Sequence, residues 1–171
     1  MRLRRVLGLA GVIVAGLLLE STVFAVWRLG GVRPDLLMIA VVAVAMGAGP
    51  VEGAAFGFSA GLLADLLFGQ TQPVGVSALA YTATGFAVGA LRAYVTSSAA
   101  WVHLALTAAA SLASVWLTGL VLRVFDQSSW GYVARAGLLV AAANLLLAPL
   151  VYPLVRRLVE RTAPAEAEVL P

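Results

Sequence analysis

At 171 residues, 62% hydrophobic and 11% charged, with a mean hydropathy of +1.00, the chain carries too little charge to cover itself as a soluble domain does; such domains are roughly 25% charged. The absence of Cys excludes a disulfide framework, a thiol nucleophile and a cysteine metal site, and a single His excludes a histidine cluster. The net charge of +3 comes from 11 Arg and no Lys, and these arginines stand at the ends of apolar runs, where they read as topology signals rather than nucleic-acid contacts.

The chain opens Met-Arg-Leu-Arg-Arg and enters an apolar run over about 6–27, long enough to cross the hydrocarbon, for which about 20 residues suffice. It is longer than a signal peptide's apolar core and ends in Phe24, Trp27 and Arg28, so it reads as an uncleaved first span. Glu20 lies near its outer end, where a carboxylate is cheaper than at mid-membrane. After a connection containing Gly30 and Gly31, Pro34 and Asp35 open a second, barely sufficient span over 34–48. Proline suits the first turn of a helix, and aspartate complements the helix dipole there. Gly47 to Pro50 must then turn tightly, and Glu52 stands in the first turn of the next helix.

The third span, 51–68, belongs to the stretch around which the sequence is organised. Gly49, Gly53, Gly57 and Gly61 recur every fourth residue, and Asp65 completes the series. On a helix these positions form one smooth face that lets another helix approach backbone to backbone, as internal packing or as a partner seam. Asp65 falls near the outer end, on the same side as Asp35, ahead of a polar turn over 70–75. Glu20, Pro34, Asp35 and Asp65 are therefore the candidate outer-face polar contacts. Two carboxylates without a histidine or a spaced third ligand do not make a catalytic or metal site, so none is assigned.

Span four covers 76–91, and its Gly85 and Gly89 form a second small pair, a natural mate for the ridge. Span five, 100–122, sets Thr107, Ser111, Ser114 and Thr118 on one face, available to bond their own preceding carbonyls or a neighbouring helix. His103, beside Trp101, reads as interfacial. Span six, 133–155, carries Asn144 near its middle, an amide that should find a partner across the bundle. Pro149 and Pro153 predict a kink or an exit near Tyr152, and the tail 162–171 reads as disordered.

Seven arginines (Arg2, Arg4, Arg5, Arg92, Arg156, Arg157, Arg161) fall on the side of both termini and four (Arg28, Arg33, Arg123, Arg135) on the other. That excess predicts both ends in the cytoplasm and an even number of spans. The expected fold is thus an all-α integral membrane protein of six transmembrane helices in a single domain, 1–161. No Walker-type phosphate loop is present in the sequence.

The order Arg33-Pro34-Asp35-Leu36-Leu37, then Gly53, Gly57-Phe58, Gly61-Leu62, Asp65-Leu66-Leu67, then Gly75, Ala78-Leu79-Ala80-Tyr81 and Gly85 resembles the bacterial rod shape-determining protein MreD family. The resemblance is carried by about 28–92; beyond Arg92 only hydropathy and the basic end agree. It implies a non-enzymatic, cofactor-free scaffold of the cell-elongation machinery in the inner membrane. The implied partners are the bitopic protein MreC, the MreB filament, the glycosyltransferase and transpeptidase of lateral peptidoglycan synthesis, and membrane lipid. It also implies a fold similar to the membrane substrate-binding (S) subunits of energy-coupling-factor vitamin transporters. The turn Gly47 to Pro50 departs from the family's pattern, which often carries basic residues there. The alternative function is a small-molecule-binding subunit of a vitamin-type transporter, with the span-five hydroxyls, Asn144 and the outer loops as its pocket; those loops offer few polar groups beyond Gln127, Trp130 and Tyr132.

Overall fold

A computed structural model describes residues 2–22, 33–68, 73–95, 100–125 and 129–162. Expectations for the end of the first apolar run beyond Thr22, the Gly30-Gly31 connection, part of the turn after Asp65, Gln127 and the tail from 163 lie outside those residues.

The described residues form helices and no strand: α1 Arg2–Thr22, α2 Leu36–Ala48, α3 Pro50–Phe68, α4 Val76–Leu91 with a short 3-10 turn Arg92–Tyr94, α5 Ala100–Val124 and α6 Trp130–Thr162. Three of them are long and apolar enough to cross a membrane: Pro50–Phe68, Trp101–Val124 and Trp130–Thr162. Of the kink or exit that Pro149 and Pro153 predict, the exit does not occur: helix α6 is continuous through both prolines and Tyr152 is buried. Tyr152, Val155 and Val159 are buried beyond them, so packing holds the last turns in place after the two ladder bonds lost to proline.

The bundle is organised around α2, not around the glycine-rich α3. Every residue from Leu36 to Ala45 is buried, and α2 touches each of the other five helices. Its sequence, LLMIAVVAVAMGA, is apolar all round, which suits a helix with no solvent-facing side. At 1.5 Å per residue its 13 residues rise about 20 Å, short of the roughly 30 Å of hydrocarbon. A helix wrapped by five others need not match that thickness, because its ends meet protein rather than lipid. Gly49, read as the first member of the α3 ridge, belongs instead to the end of α2. It caps that helix with φ +99°, its N–H donating to the Ala45 carbonyl, a backbone geometry open to glycine.

The rest of the ridge packs against α4. A Cβ built on Gly53 would lie 2.8 Å from the Gly85 carbonyl oxygen, one on Gly57 2.7 Å from the Tyr81 carbonyl carbon, and one on Gly61 2.6 Å from the Ala78 Cα. Gly85 faces back onto Gly53, and Gly89 lies against Pro50 and Gly49. The two backbones are therefore in contact along the length of the seam, where dispersion replaces the hydrophobic effect as the cohesive force. Gly53, Gly57 and Gly61 are thus packed against α4 within the chain itself. Helices α5 and α6 pair beside it, with Gly119 admitting Val133 and the Trp116 and Trp130 rings stacked at 5.8 Å.

Candidate functional site

The four backbone N–H groups that open α2 have no partners within the helix, and in an apolar bundle each must be satisfied by a side chain. Asp35 is the N-cap: its Oδ1 accepts from the Met38 N–H at 2.9 Å. Pro34 consequently precedes the cap, buried, instead of occupying the first turn as its sequence position suggested. Glu20, from the last turns of α1, accepts at Oε1 from the Leu36 and Leu37 N–H groups at 2.8 and 3.2 Å. Asn144 of α6 accepts from the Asp35 N–H at 2.8 Å. Three elements thus supply the acceptors for one helix start. Two carboxylates are tolerated together there because they face the positive end of the α2 dipole.

The network continues sideways. The Tyr81 hydroxyl of α4 donates to Asp35 Oδ2 at 2.7 Å, and Asn144 Nδ2 donates to Ser111 Oγ of α5 at 2.8 Å. Ser111 donates to the Thr107 carbonyl and Thr107 to the His103 carbonyl, both at 2.8 Å. Asn144, Thr107 and Ser111 are 0% exposed, so this is a dry chain of bonds joining α1, α2, α4, α5 and α6. Ser114 is also buried and Thr118 is half-buried, which puts the hydroxyl face of α5 inward. Asn144 therefore does find its partner across the bundle, and finds two.

Asp65 performs the same service for α4. Its Oδ2 accepts from the N–H groups of Gly75, Ser77 and Ala78 at 2.7, 3.0 and 3.4 Å. Gly75 caps α4 at φ +103° and brings no side chain of its own, so the cap is supplied from α3. Asp65 is 2% exposed. It is turned into the bundle, and Glu20 and Asp35 are likewise bonded to helix starts within the chain, because a buried N–H left without an acceptor in an apolar surrounding is costly. Replacing Asp65 with alanine should orphan the buried Ala78 donor, leave the half-buried Gly75 and Ser77 donors to water, and lower stability by about 1–3 kcal/mol; urea or thermal unfolding in detergent measures it, and an unchanged midpoint would contradict the capping role.

At the opposite end of the bundle Arg5 of α1 pairs with Glu52 of α3. The sequence placed Glu52 only as a helix-dipole partner; its Arg5 contact was not foreseen, although both stand in the first turns of helices that run in the same direction. Tyr81 was also missed as a network member. A phenol inside an apolar span was the available signal, since its hydroxyl must find an acceptor when buried. Among the described residues no group of three or more His, Cys, Asp or Glu side chains is placed to hold a metal ion.

What this arrangement can do is hold six helices in one fixed relation. Its carboxylates accept backbone and phenol hydrogen bonds, and the Thr107 and Ser111 hydroxyls are tied to carbonyls and to Asn144. No curated protein and no solved structure shows a significant match to the sequence. The sequence model of the rod shape-determining protein MreD family matches residues 3–159. With the Asp35 cap, the Asp65 cap and the Gly53-Gly57-Gly61 seam each built from residues that carry the resemblance, the chain belongs to the rod shape-determining protein MreD family.

Proposed function

We propose that the protein is a non-enzymatic membrane scaffold of the bacterial cell-elongation machinery, which binds MreC and through it helps position lateral peptidoglycan synthesis. In this reading all six helices lie in the inner membrane, both termini face the cytoplasm, and the architecture is similar to that of the S subunits of energy-coupling-factor transporters. The observation that carries it, beyond family membership, is that the polar groups which a ligand-capturing subunit would turn into a pocket are bonded to one another: Asp35 to Tyr81 and Asn144, and Asn144 to Ser111. What the bundle turns outward is apolar, including Leu66, Leu67, Phe86, Leu138, Leu146 and Leu150, a surface for lipid and for partner helices.

The test replaces the family member of a rod-shaped host with this chain, tagged at residue 171. Rod shape should be kept, MreC should co-purify from solubilised membranes, and reporters fused at Met1 and at Pro171 should both register the cytoplasm. Round cells together with well-folded protein that recovers no MreC would overturn the scaffold reading. An external C-terminus would overturn the six-span arrangement.

A further inference from the structure

At the arginine-rich end of the bundle a groove of about 290 Å³ separates α5 from α6, walled by His103, Leu104, Ala148, Pro149, Tyr152 and Arg156. Its lining is mostly apolar, and its polar members are His103, Thr107, Tyr152 and Arg156; the Thr107 hydroxyl is committed to the His103 carbonyl, and the His103 and Tyr152 rings stand 5.0 Å apart beside Arg156. The Arg156 Nε donates to Glu160 Oε1 at 2.6 Å, which fixes the guanidinium while leaving it four further N–H donors. Among the described residues no carboxylate is part of the groove lining, the nearest being the Glu160 partner of Arg156, and Arg157 and Arg161 continue the basic run on α6.

An apolar slot with one cationic mouth, set between helices at the basic end of a membrane bundle, has the charge pattern of an amphiphile with a negative head. We propose that this groove holds one anionic phospholipid of the adjoining leaflet, with part of an acyl chain between α5 and α6 and the phosphate against Arg156 and His103. The volume is near the lower limit of roughly 300 Å³ for small-molecule pockets, which suits a segment of a chain whose remainder stays in the bilayer. Arginine is the better cation here than a point charge, since its planar fork pairs with phosphate through two N–H groups at once. The proposal does not depend on MreC binding.

Native mass spectrometry of the purified chain, titrated in neutral detergent with dioleoylphosphatidylglycerol or dioleoylphosphatidylcholine, reads the dissociation constants directly. The anionic lipid should bind more tightly. Arg156→Gln should weaken it about fivefold, the worth of one arginine near an anionic headgroup, while Arg161→Gln, the same charge change outside the groove, should weaken it clearly less. Leu104→Trp, which fills the slot and keeps every charge, should weaken both lipids. Equal affinity for the two lipids, an equal loss in Arg161→Gln, or full competition by inorganic phosphate at equal concentration would each overturn the proposal, the last by reassigning the mouth to a soluble anion. Thermal unfolding of each variant checks its folding; should Leu104→Trp fail to fold, the comparison of Arg156→Gln with Arg161→Gln at the exposed rim decides alone.

Discussion

Replacing Gly57 with leucine should cost the protein more than any other single change on the α3–α4 seam. A Cβ alone at this position would stand 2.7 Å from the Tyr81 carbonyl carbon, and the obstacle is backbone, which cannot swing aside as a side-chain end can. Leucine adds four carbons to that space, so α3 and α4 must separate along their length, with an overpacking penalty of roughly 1–3 kcal/mol or more. Displacing α4 also pulls the Tyr81 hydroxyl from Asp35, which couples the seam to the polar network. The expected result is a large fall in thermal midpoint and in membrane abundance, with MreC recovery reduced in proportion to folded protein. Gly11→Ala is the contrast, because nothing lies within 4 Å of a Cβ there and alanine is the better helix former. Should Gly57→Leu fold normally yet lose MreC, the seam would have to open to a partner, and the internal packing described here would be wrong.

Asp35→Ala should be the most damaging change in the polar network. It removes the acceptors of the Met38 N–H and the Tyr81 O–H, both in places where water does not substitute. Each orphaned buried donor costs about 1–3 kcal/mol, so the loss should be about 2–6 kcal/mol, enough to leave little folded protein. A double-mutant cycle of Tyr81→Phe with Asp35→Asn isolates the bond between them. The two effects should be less than additive, by about 0.5–3 kcal/mol, as for groups in one network. Strict additivity would show that the phenol and the carboxylate act independently. Asn144→Leu extends the same reasoning to α6: it keeps approximate volume but strips the acceptor from the Asp35 N–H and the donor from Ser111. It should unfold at lower temperature than Ser114→Ala, which touches the same hydroxyl face without breaking the link to α2.

Much of this architecture is legible in the residue pattern. The apolar runs determine where the helices lie, since the backbone must satisfy itself within each segment in lipid. The glycine period of four determines that α3 has a smooth face, and Gly85 and Gly89 point to α4 as its mate. The inward hydroxyl face of α5 follows from the spacing of Thr107, Ser111 and Ser114. Hydropathy could not decide which helix stands at the centre. In a membrane both the core and the outside are apolar, so the unbroken run Leu36 to Ala45 reads the same whether it meets lipid or protein; only the packing of five helices around α2 decides it. The carboxylates read as outer-face contacts in the sequence for a related reason: a position near a helix end does not show which neighbour a side chain meets. The contacts made rest on neighbours distant in the chain: Glu20 on Leu36, Asp65 on Gly75, and Asn144 on Asp35 across 109 residues. A hydrogen bond between groups that far apart leaves no period in the sequence, because its geometry exists only once the helices have packed.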